Sequence, residues 1–433
     1  MTASDVAAAT HGRLMGADSP VVGVSTDTRE ITAGQLFVPI VDRRDGHDFI
    51  GDALDRGVTV CLASRELSSA PPTVISVADT LAALADIGRW ARARLPERVV
   101  GITGSVGKTS VKDLTRAALE PRWRVTANMR SLNNELGLPL TLANAPDDTE
   151  VTVVEMGMRG FGQIAQLCEI ARPTVGVVTA VADAHTELTG GIDGVARAKG
   201  ELIAALPLDG MAVLNADDAR VAAMAALTDA SVLTFGTRGG DVRAVDVRLD
   251  DLGRVSFRLC SPWGDTDIQL QVSGAHNAIN AAAAAAVALS FGTPLDSVAV
   301  GLGAARLSPW RMEVRATPSG AVVINDAYNA NPASMRAALD VLVGLPATGR
   351  RVAILGVMAE LDEPSRQHAE IAALVAGMGV ELLAVGTDLY GASRVADFDE
   401  AVDALGPLVG GDVVLVKASR VAGLERLAAR LLA

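Results

Sequence analysis

The sequence predicts an α/β protein of three domains, and three observations carry the prediction. From residue 99 onward, short apolar β-rich runs alternate with helix-like segments, as in parallel sheets covered by helices. A glycine-rich turn at residues 103–109 joins one such run to a helix. The chain of 433 residues is also too long for one ordinary core.

The first ~80 residues mix turns with short β-like runs at 35–40 and 74–77, which reads as a small α/β N-terminal domain over 1–82. A helical pattern over 81–95 leads to Pro96. The central domain, 83–305, has β-runs at 151–154, 175–181 and 212–214. Over 242–272 the pattern becomes alternating, predicting an antiparallel insertion before a long alanine-rich helix. A Rossmann-like C-terminal domain is expected over 306–433, with strands at 321–324, 352–355, 382–385 and 413–416.

Composition narrows the function. Hydrophobic residues make up 49% and charged residues 21%, which is globular rather than disordered. A net charge of −13 argues against a nucleic acid or an anionic membrane as main partner. Cys61, Cys168 and Cys260 are too few and too dispersed for a disulfide framework or a zinc pattern. The alanine-rich stretch 278–291 is shorter than the roughly 20 residues of a membrane span. The opening MTASDVAAATHGRLM lacks the basic start and apolar run of a secretory leader. A cytoplasmic protein is therefore expected.

The most informative segment is Thr103-Gly-Ser-Val-Gly-Lys-Thr-Ser110. Gly104 and Gly107 let the backbone curl around an anion, with Ser105, Val106 and Ser110 completing the loop. The helix that follows adds the positive end of its dipole. Lys108 suits the β- and γ-phosphates of a nucleotide, and the Thr109 hydroxyl suits Mg²⁺. The usual spacing would put the first glycine at Ile102, one residue after Gly101, so this is a variant loop.

Strand ends carry the sites of open α/β sheets. Glu155 ends the run at 151–154 and would make a hard oxygen ligand. His185 follows the run ending at Val181; a lone loop histidine is more often structural or merely exposed. Lys199 lies in a helix-like stretch and reads by default as a surface charge. Taken alone, His276-Asn-Ala-Ile-Asn280 is a helix cap, Asn329-Ala-Asn-Pro332 a turn, and Ser25-Thr-Asp-Thr28 a surface loop.

Taken together, these segments resemble the Mur ligases. The resemblance rests on the phosphate loop, Asn133-Asn-Glu-Leu-Gly-Leu-Pro139, Glu155-Met-Gly157, His185, Ala198-Lys-Gly-Glu201, Leu214-Asn-Ala-Asp-Asp218 and Gly274-Ala-His-Asn-Ala-Ile-Asn280. Arg311-Met-Glu313, Asp326-Ala-Tyr-Asn-Ala-Asn-Pro332 and Lys417-Ala-Ser-Arg420 extend it. Tyr328-Asn-Ala-Asn-Pro-Ala-Ser-Met335, Ser25-Thr-Asp-Thr-Arg29 and Asp45-Gly-His-Asp-Phe49 resemble the member that adds D-alanyl-D-alanine to a UDP-muramoyl tripeptide.

The resemblance implies an ATP- and Mg²⁺-dependent amide ligase that works through an acyl phosphate. Lys108 and Thr109 would hold the phosphates and a first Mg²⁺, with Glu155 assisting. His185 would serve a second Mg²⁺, beside Lys199 carrying a carbamate. Asn277 and Asn280 would contact the adenine side of ATP, and Arg311 and Asp326 would reach the nucleotide on domain closure. Ser25, Thr26, Arg29 and His47 would seat the uridine diphosphate. Asn133, Asn134, Asn329 and Asn331 belong to the expected substrate-binding set. The expected partners are these substrates, with no nucleic acid, no membrane span and a monomeric state. A paralogue joining another carboxylate and amine in specialised metabolism is the alternative.

Overall fold

The computed structural model describes residues 1–67, 70–128, 132–182, 189–359, 361–392 and 394–433. Its contacts divide the chain into two compact units. One comprises Met1–Gly101, Arg124–Gly157 and Ile164–Thr174, and the other Ile102–Trp123, Met158–Gln163 and Val175–Ala433.

The N-terminal elements are α1 (Ala3–Ala9), β1 (Arg13–Gly16), β2 (Gly23–Ser25), β3 (Gln35–Phe37), α2 (Ile50–Asp55), β4 (Val60–Ala63), β5 (Thr73–Ser76) and α3 (Thr80–Arg92). Their strands form a five-stranded sheet in the order β1-β5-β4-β3-β2, parallel except for β1. Phe37, Ile50, Val58, Cys61 and Val74 pack one of its cores. The helix expected to run to residue 95 ends at Arg92, whose buried guanidinium donates to the carbonyls of Leu95, Pro96 and Ala171.

The next elements are β6 (Val99–Thr103), α4 (Lys108–Leu119), β7 (Val125–Ala127), α5 (Gly137–Ala143), β8 (Val151–Glu155), α6 (Gln163–Ala171), β9 (Val175–Val178), α7 (Ile192–Ala204), β10 (Met211–Asn215) and α8 (Ala219–Ala222). They continue with β11 (Ser231–Gly236), β12 (Val242–Leu249), β13 (Arg254–Ser261), β14 (Gly264–Ser273), α9 (His276–Ser290) and α10 (Leu295–Ala304). The sheet order is β14-β13-β12-β11-β10-β9-β6-β8-β7.

Every residue of β6, β8 and β9 is buried, as in strands covered on both faces. In β13, buried and more open positions alternate, the mark of one covered face. The expected antiparallel insertion is thus β12–β14, which extends this sheet at one edge. The alanines of α9 let helices approach closely, and a Cβ at Gly301 of α10 would stand 2.1 Å from the Ala117 carbonyl oxygen of α4.

The C-terminal elements are β15 (Glu313–Ala316), β16 (Val322–Asn325), α11 (Pro332–Gly344), β17 (Arg351–Leu355), α12 (Pro364–Gly377), β18 (Glu381–Val385), β19 (Arg394–Val395), α13 (Phe398–Leu405), β20 (Val413–Lys417) and α14 (Glu425–Leu431). Their sheet runs β15-β16-β20-β17-β18-β19, parallel apart from β15. Alternate residues feed two cores: Leu355 and Leu415 pack with Leu339, while Ile354 and Val416 pack with Leu427.

Candidate active site

The turn after β6 is shaped by steric exclusion. Gly104 and Gly107 have φ of 150° and 83°, a region that side chains rarely tolerate. A Cβ on Gly104 would lie 1.8 Å from Thr179 Oγ1, and one on Gly107 would lie 2.9 Å from Asn280 Oδ1. The loop is braced from behind. Thr179 donates to the Val106 carbonyl at 2.6 Å, Ser105 N–H to the Ala180 carbonyl at 2.8 Å, and the Ser105 hydroxyl to that of Ala182 at 3.0 Å. β9 ends at Val178 rather than running on to residue 181; Thr179 N–H still donates to the Thr103 carbonyl at 3.0 Å while its hydroxyl holds the loop.

The brace is itself held. Asn215 Nδ2 donates to the Thr179 carbonyl at 2.7 Å, and Asp218 Oδ2 accepts from Val181 N–H at 2.8 Å. Those two residues belong to the segment that resembled the family without suggesting a role. Lys108 Nζ donates to the Gly104 carbonyl at 2.6 Å. Thr109 is buried in the first turn of α4.

Lys199 overturns its default reading as a surface charge. On α7 it is only 2% exposed, among the largest fully buried side chains. Burial, and then the Lys108 ammonium, hold its amine well below the usual lysine range. Burying an ammonium away from water is costly, which is why burial is the larger of the two causes.

At the end of β8, Glu155 is buried. Its Oε1 accepts from Asn133 Nδ2 at 2.7 Å, and its N–H donates to Asn128 Oδ1 at 2.9 Å. The Asn133 carbonyl accepts from Gly157 N–H, and Asn134 Oδ1 caps Gly137 N–H at 3.0 Å. Asn133 therefore aims the carboxylate, and Asn134 starts α5. The hold of Asn128 on the Glu155 main chain had no signal in the sequence.

Asn277 and Asn280 differ in kind. Asn277 is fully buried, with Nδ2 on the Ser273 carbonyl and Oδ1 accepting from Asn280 Nδ2 at 3.0 Å. Only Asn280 stands beside the phosphate loop. Asn277 orients it.

In the third domain, Arg311 sits between Trp310 and Met312, two residues with left-handed φ of 62° and 50°. Its guanidinium carbon lies 4.2 Å from the centroid of the Tyr328 ring. Its Nε is buried with no hydrogen-bond partner among the described residues. Asp326 accepts from Met312 N–H at 3.0 Å and forms an ion pair with the buried Lys417, whose ammonium also donates to the Asn329 carbonyl at 2.8 Å. Asp326 thus anchors the Arg311 turn. Asn331 is the N-cap of α11, in a capping box with Ser334.

In the N-terminal domain, Ser25 Oγ accepts from Asp27 N–H at 3.1 Å, and the exposed Arg29 pairs with Asp27 at 2.6 Å. Thr26 lies between them. His47, expected near the uridine diphosphate, is an interior residue. Its Nδ1 meets Asp45 Oδ1 at 2.5 Å, and its Nε2 accepts from Ser64 N–H at 3.1 Å. Both ring nitrogens have partners, and they tie the loop at 45–47 to Ser64. His185 lies outside the described residues.

These groups fit a nucleotide and a hard cation. Thr109, in the first turn of α4, offers a hydroxyl oxygen, and among the described residues no cluster of three histidine, cysteine or acidic side chains forms a cage. Mg²⁺ suits such a donor set, because it binds through one or two carboxylates, phosphates and water.

Comparison with known proteins follows the same lines. Residues 102–288 match the Mur ligase middle domain, and residues 310–420 the glutamate ligase domain of Mur ligases. The UDP-N-acetylmuramoyl-tripeptide–D-alanyl-D-alanine ligase of Mycobacterium tuberculosis is 40% identical, over 98% of this chain and 94% of its own length. The ligase of the same name from Escherichia coli is 34% identical, over 99% and 97%. Crystallised MurF from Acinetobacter baumannii matches with a TM-score of 0.89 at 29% identity, over 100% of this chain and 98% of that one. MurF ligase from Thermotoga maritima, solved with ADP, matches with a TM-score of 0.83 at 27% identity, over 94% and 96%.

Proposed function

The chain belongs to the Mur ligase family, and on that premise we propose that it joins D-alanyl-D-alanine to a UDP-N-acetylmuramoyl tripeptide, with ATP converted to ADP and phosphate, in peptidoglycan precursor synthesis. One observation carries the reading. The likeness to ligases of that name covers 98% and 99% of this chain and 94% and 97% of theirs, so it spans all three domains rather than the ATP-binding part alone.

The chemistry needs activation because a carboxylate has no good leaving group. The tripeptide carboxylate oxygen attacks the γ-phosphorus, the bond to the β-phosphate oxygen breaks, and ADP departs. The amine of D-alanyl-D-alanine then adds to the carbonyl carbon of the acyl phosphate. The tetrahedral intermediate expels phosphate, and the nitrogen gives up a proton.

Lys108 is the cation of the phosphate loop and answers the charge on the β- and γ-phosphates. The loop N–H groups and Ser110 complete that cradle. Thr109 and Glu155 would hold Mg²⁺, which offsets phosphate charge. Burial lowers the pKa of the Lys199 amine, and in its neutral form that amine would add through its lone pair to CO₂; loss of a proton would leave a carbamate anion, a second hard ligand together with His185. Arg311, with its unused Nε, is the cation that the third domain brings to the nucleotide. Asn280 borders the phosphate loop, and Ser25, Thr26 and Arg29 seat the uridine diphosphate. Asn329 and Asn331 shape the third-domain side of the amine site.

Because the acyl phosphate hydrolyses in water, closure of the domains before transfer is part of the reading. We place the reaction in the cytoplasm, where ATP and UDP-linked precursors are available; no described helix is long and apolar enough to cross a membrane.

The test is phosphate release with ATP, Mg²⁺, UDP-muramoyl tripeptide and D-alanyl-D-alanine, with mass spectrometry of the product. Release requiring both substrates, with a pentapeptide product, is expected. ATP binding with background release would favour another carboxylate and amine.

A further inference from the structure

A lysine followed by an aspartate on an amphipathic helix usually faces water. In α4 the pair Lys112–Asp113 is buried, with Lys112 Nζ 3.1 Å from Asp113 Oδ1. The other carboxylate oxygen reaches 195 residues along the chain, where Oδ2 accepts from Ser308 N–H at 2.6 Å. Such a charge-assisted bond to a backbone donor is among the stronger kinds.

Ser308 lies just ahead of the turn that carries Arg311. Pro309 follows it, and then the left-handed Trp310 and Met312. That turn is fixed to the third domain at several points. Trp310 N–H donates to Glu313 Oε1 at 3.1 Å, Met312 N–H to Asp326 Oδ1, and Tyr328 N–H to the Trp310 carbonyl at 3.2 Å. The Arg420 guanidinium lies 4.4 Å from the centroid of the Trp310 ring. The chain is therefore held on both sides of Pro309, by the phosphate-loop helix before it and by the third-domain sheet after it.

We propose that Asp113 is a positioning residue that pins Ser308 to the phosphate-loop helix and makes the Ser308–Pro309 link the pivot of the third domain. A pin at Ser308 keeps the Arg311 Cα within about 10 Å of it, because extended chain spans roughly 3.3–3.6 Å per residue. Wherever the third domain swings, Arg311 stays close to the helix whose first turn is the phosphate loop. The inference rests on the ligase reading for the use it gives Arg311, but the pin itself is a property of the free protein.

The test compares full-length wild type with Asp113→Ala and Asp113→Asn. Hydrogen exchange of a linker peptide containing Ser308, read without substrates, is expected to quicken about 10- to 100-fold in Asp113→Ala, as for a lost charge-assisted bond. In the same variant kcat should fall roughly 10- to 100-fold, the scale of a displaced positioning contact, with ADP affinity within about twofold of wild type. Asp113→Asn, whose amide oxygen still accepts, should restore most of both.

Unchanged linker exchange in Asp113→Ala would overturn the pin. So would a loss of ADP affinity as large as the loss of kcat, or an Asn variant no better than Ala. Should the Ala variant not fold, Asp113→Glu, which displaces the oxygen by one methylene, carries the same expectations. Wild type that shows the protected linker but no pentapeptide product would count against the ligase reading alone.

Discussion

The side-chain amide of Asn144 makes two hydrogen bonds to the main chain of Val24: Oδ1 accepts from its N–H at 2.8 Å, and Nδ2 donates to its carbonyl at 2.9 Å. Val24 lies in β2, the edge strand of the N-terminal sheet, so Asn144 stands in for the next strand. Gly23 keeps the approach open, since a Cβ there would lie 2.6 Å from Asn144 Oδ1. Ser25 and Thr26, immediately downstream, belong to the proposed uridine diphosphate segment. Asn144→Leu keeps a side chain of similar volume and removes both bonds. The KM for the UDP-linked substrate should rise roughly 10- to 30-fold, as for about 2 kcal/mol of lost hydrogen bonding, with kcat changing less. An unaltered KM in steady-state kinetics would mean that the segment needs no brace.

Lys199 yields a prediction through charge. Burial depresses its amine, so below the unfolded lysine pKa the folded state binds fewer protons than the unfolded one, and the cost of burying it grows as pH falls. Lys199→Arg puts a cation that cannot deprotonate into the same pocket, near Lys108. Its thermal midpoint should drop by at least about 5 °C, while Lys199→Met stays within a few degrees of wild type. Both should lose turnover by more than about 100-fold if a carbamate is required. A fully active Met variant in the coupled phosphate assay would dismiss the carbamate.

The contrast between Lys108 and Lys199 shows what was legible in the sequence. Lys108 announces itself, because its neighbours in the chain are also its neighbours in space: a β-run, two glycines and a helix start. Alternating β and helix patterns revealed the three sheets for the same reason. Lys199 did not, since its burial depends on the packing of α7, which residue order does not state. Asp113, Asn144 and Asn128 were silent too. Each acts on a partner 195, 120 or 27 residues away, and a lone Asp or Asn carries no period. His47 was noticed through the Asp45–Phe49 motif, but its bond to Ser64, 17 residues away, carried no signal in the sequence.

The phosphate loop offers a graded series. A methyl at Gly107 meets Asn280 Oδ1 at 2.9 Å, the end of a side chain that can shift, although the φ of 83° remains unfavourable. A methyl at Gly104 meets Thr179 Oγ1 at 1.8 Å, and that hydroxyl is bonded to the loop itself. Gly107→Ala should weaken ADP binding about 10-fold, consistent with roughly 1–2 kcal/mol of backbone strain. Gly104→Ala should abolish binding measurable by titration calorimetry and lower the thermal midpoint. Equal affinities for the two variants would show that the loop relaxes as a whole.

The N-terminal domain makes a prediction at low pH. The Asp45 carboxylate accepts from the His47 N–H at 2.9 Å, then from the His47 ring, and its other oxygen accepts from Arg65 Nε at 2.9 Å. Together they hold its pKa down, from 3.8 to about 2, with the His47 main-chain bond the largest cause. Because the folded value lies below the unfolded one, this carboxylate contributes stability above pH ~4 and loses it as pH falls through that value toward 2. Asp45 is close to solvent, so the contribution is modest. Asp45→Asn should lower the urea midpoint at pH 7, and the gap to wild type should narrow steadily between pH ~4 and ~2. A gap constant across that window would mean that the loop is held by the shape of His47 and Ser64 rather than by the charge on Asp45.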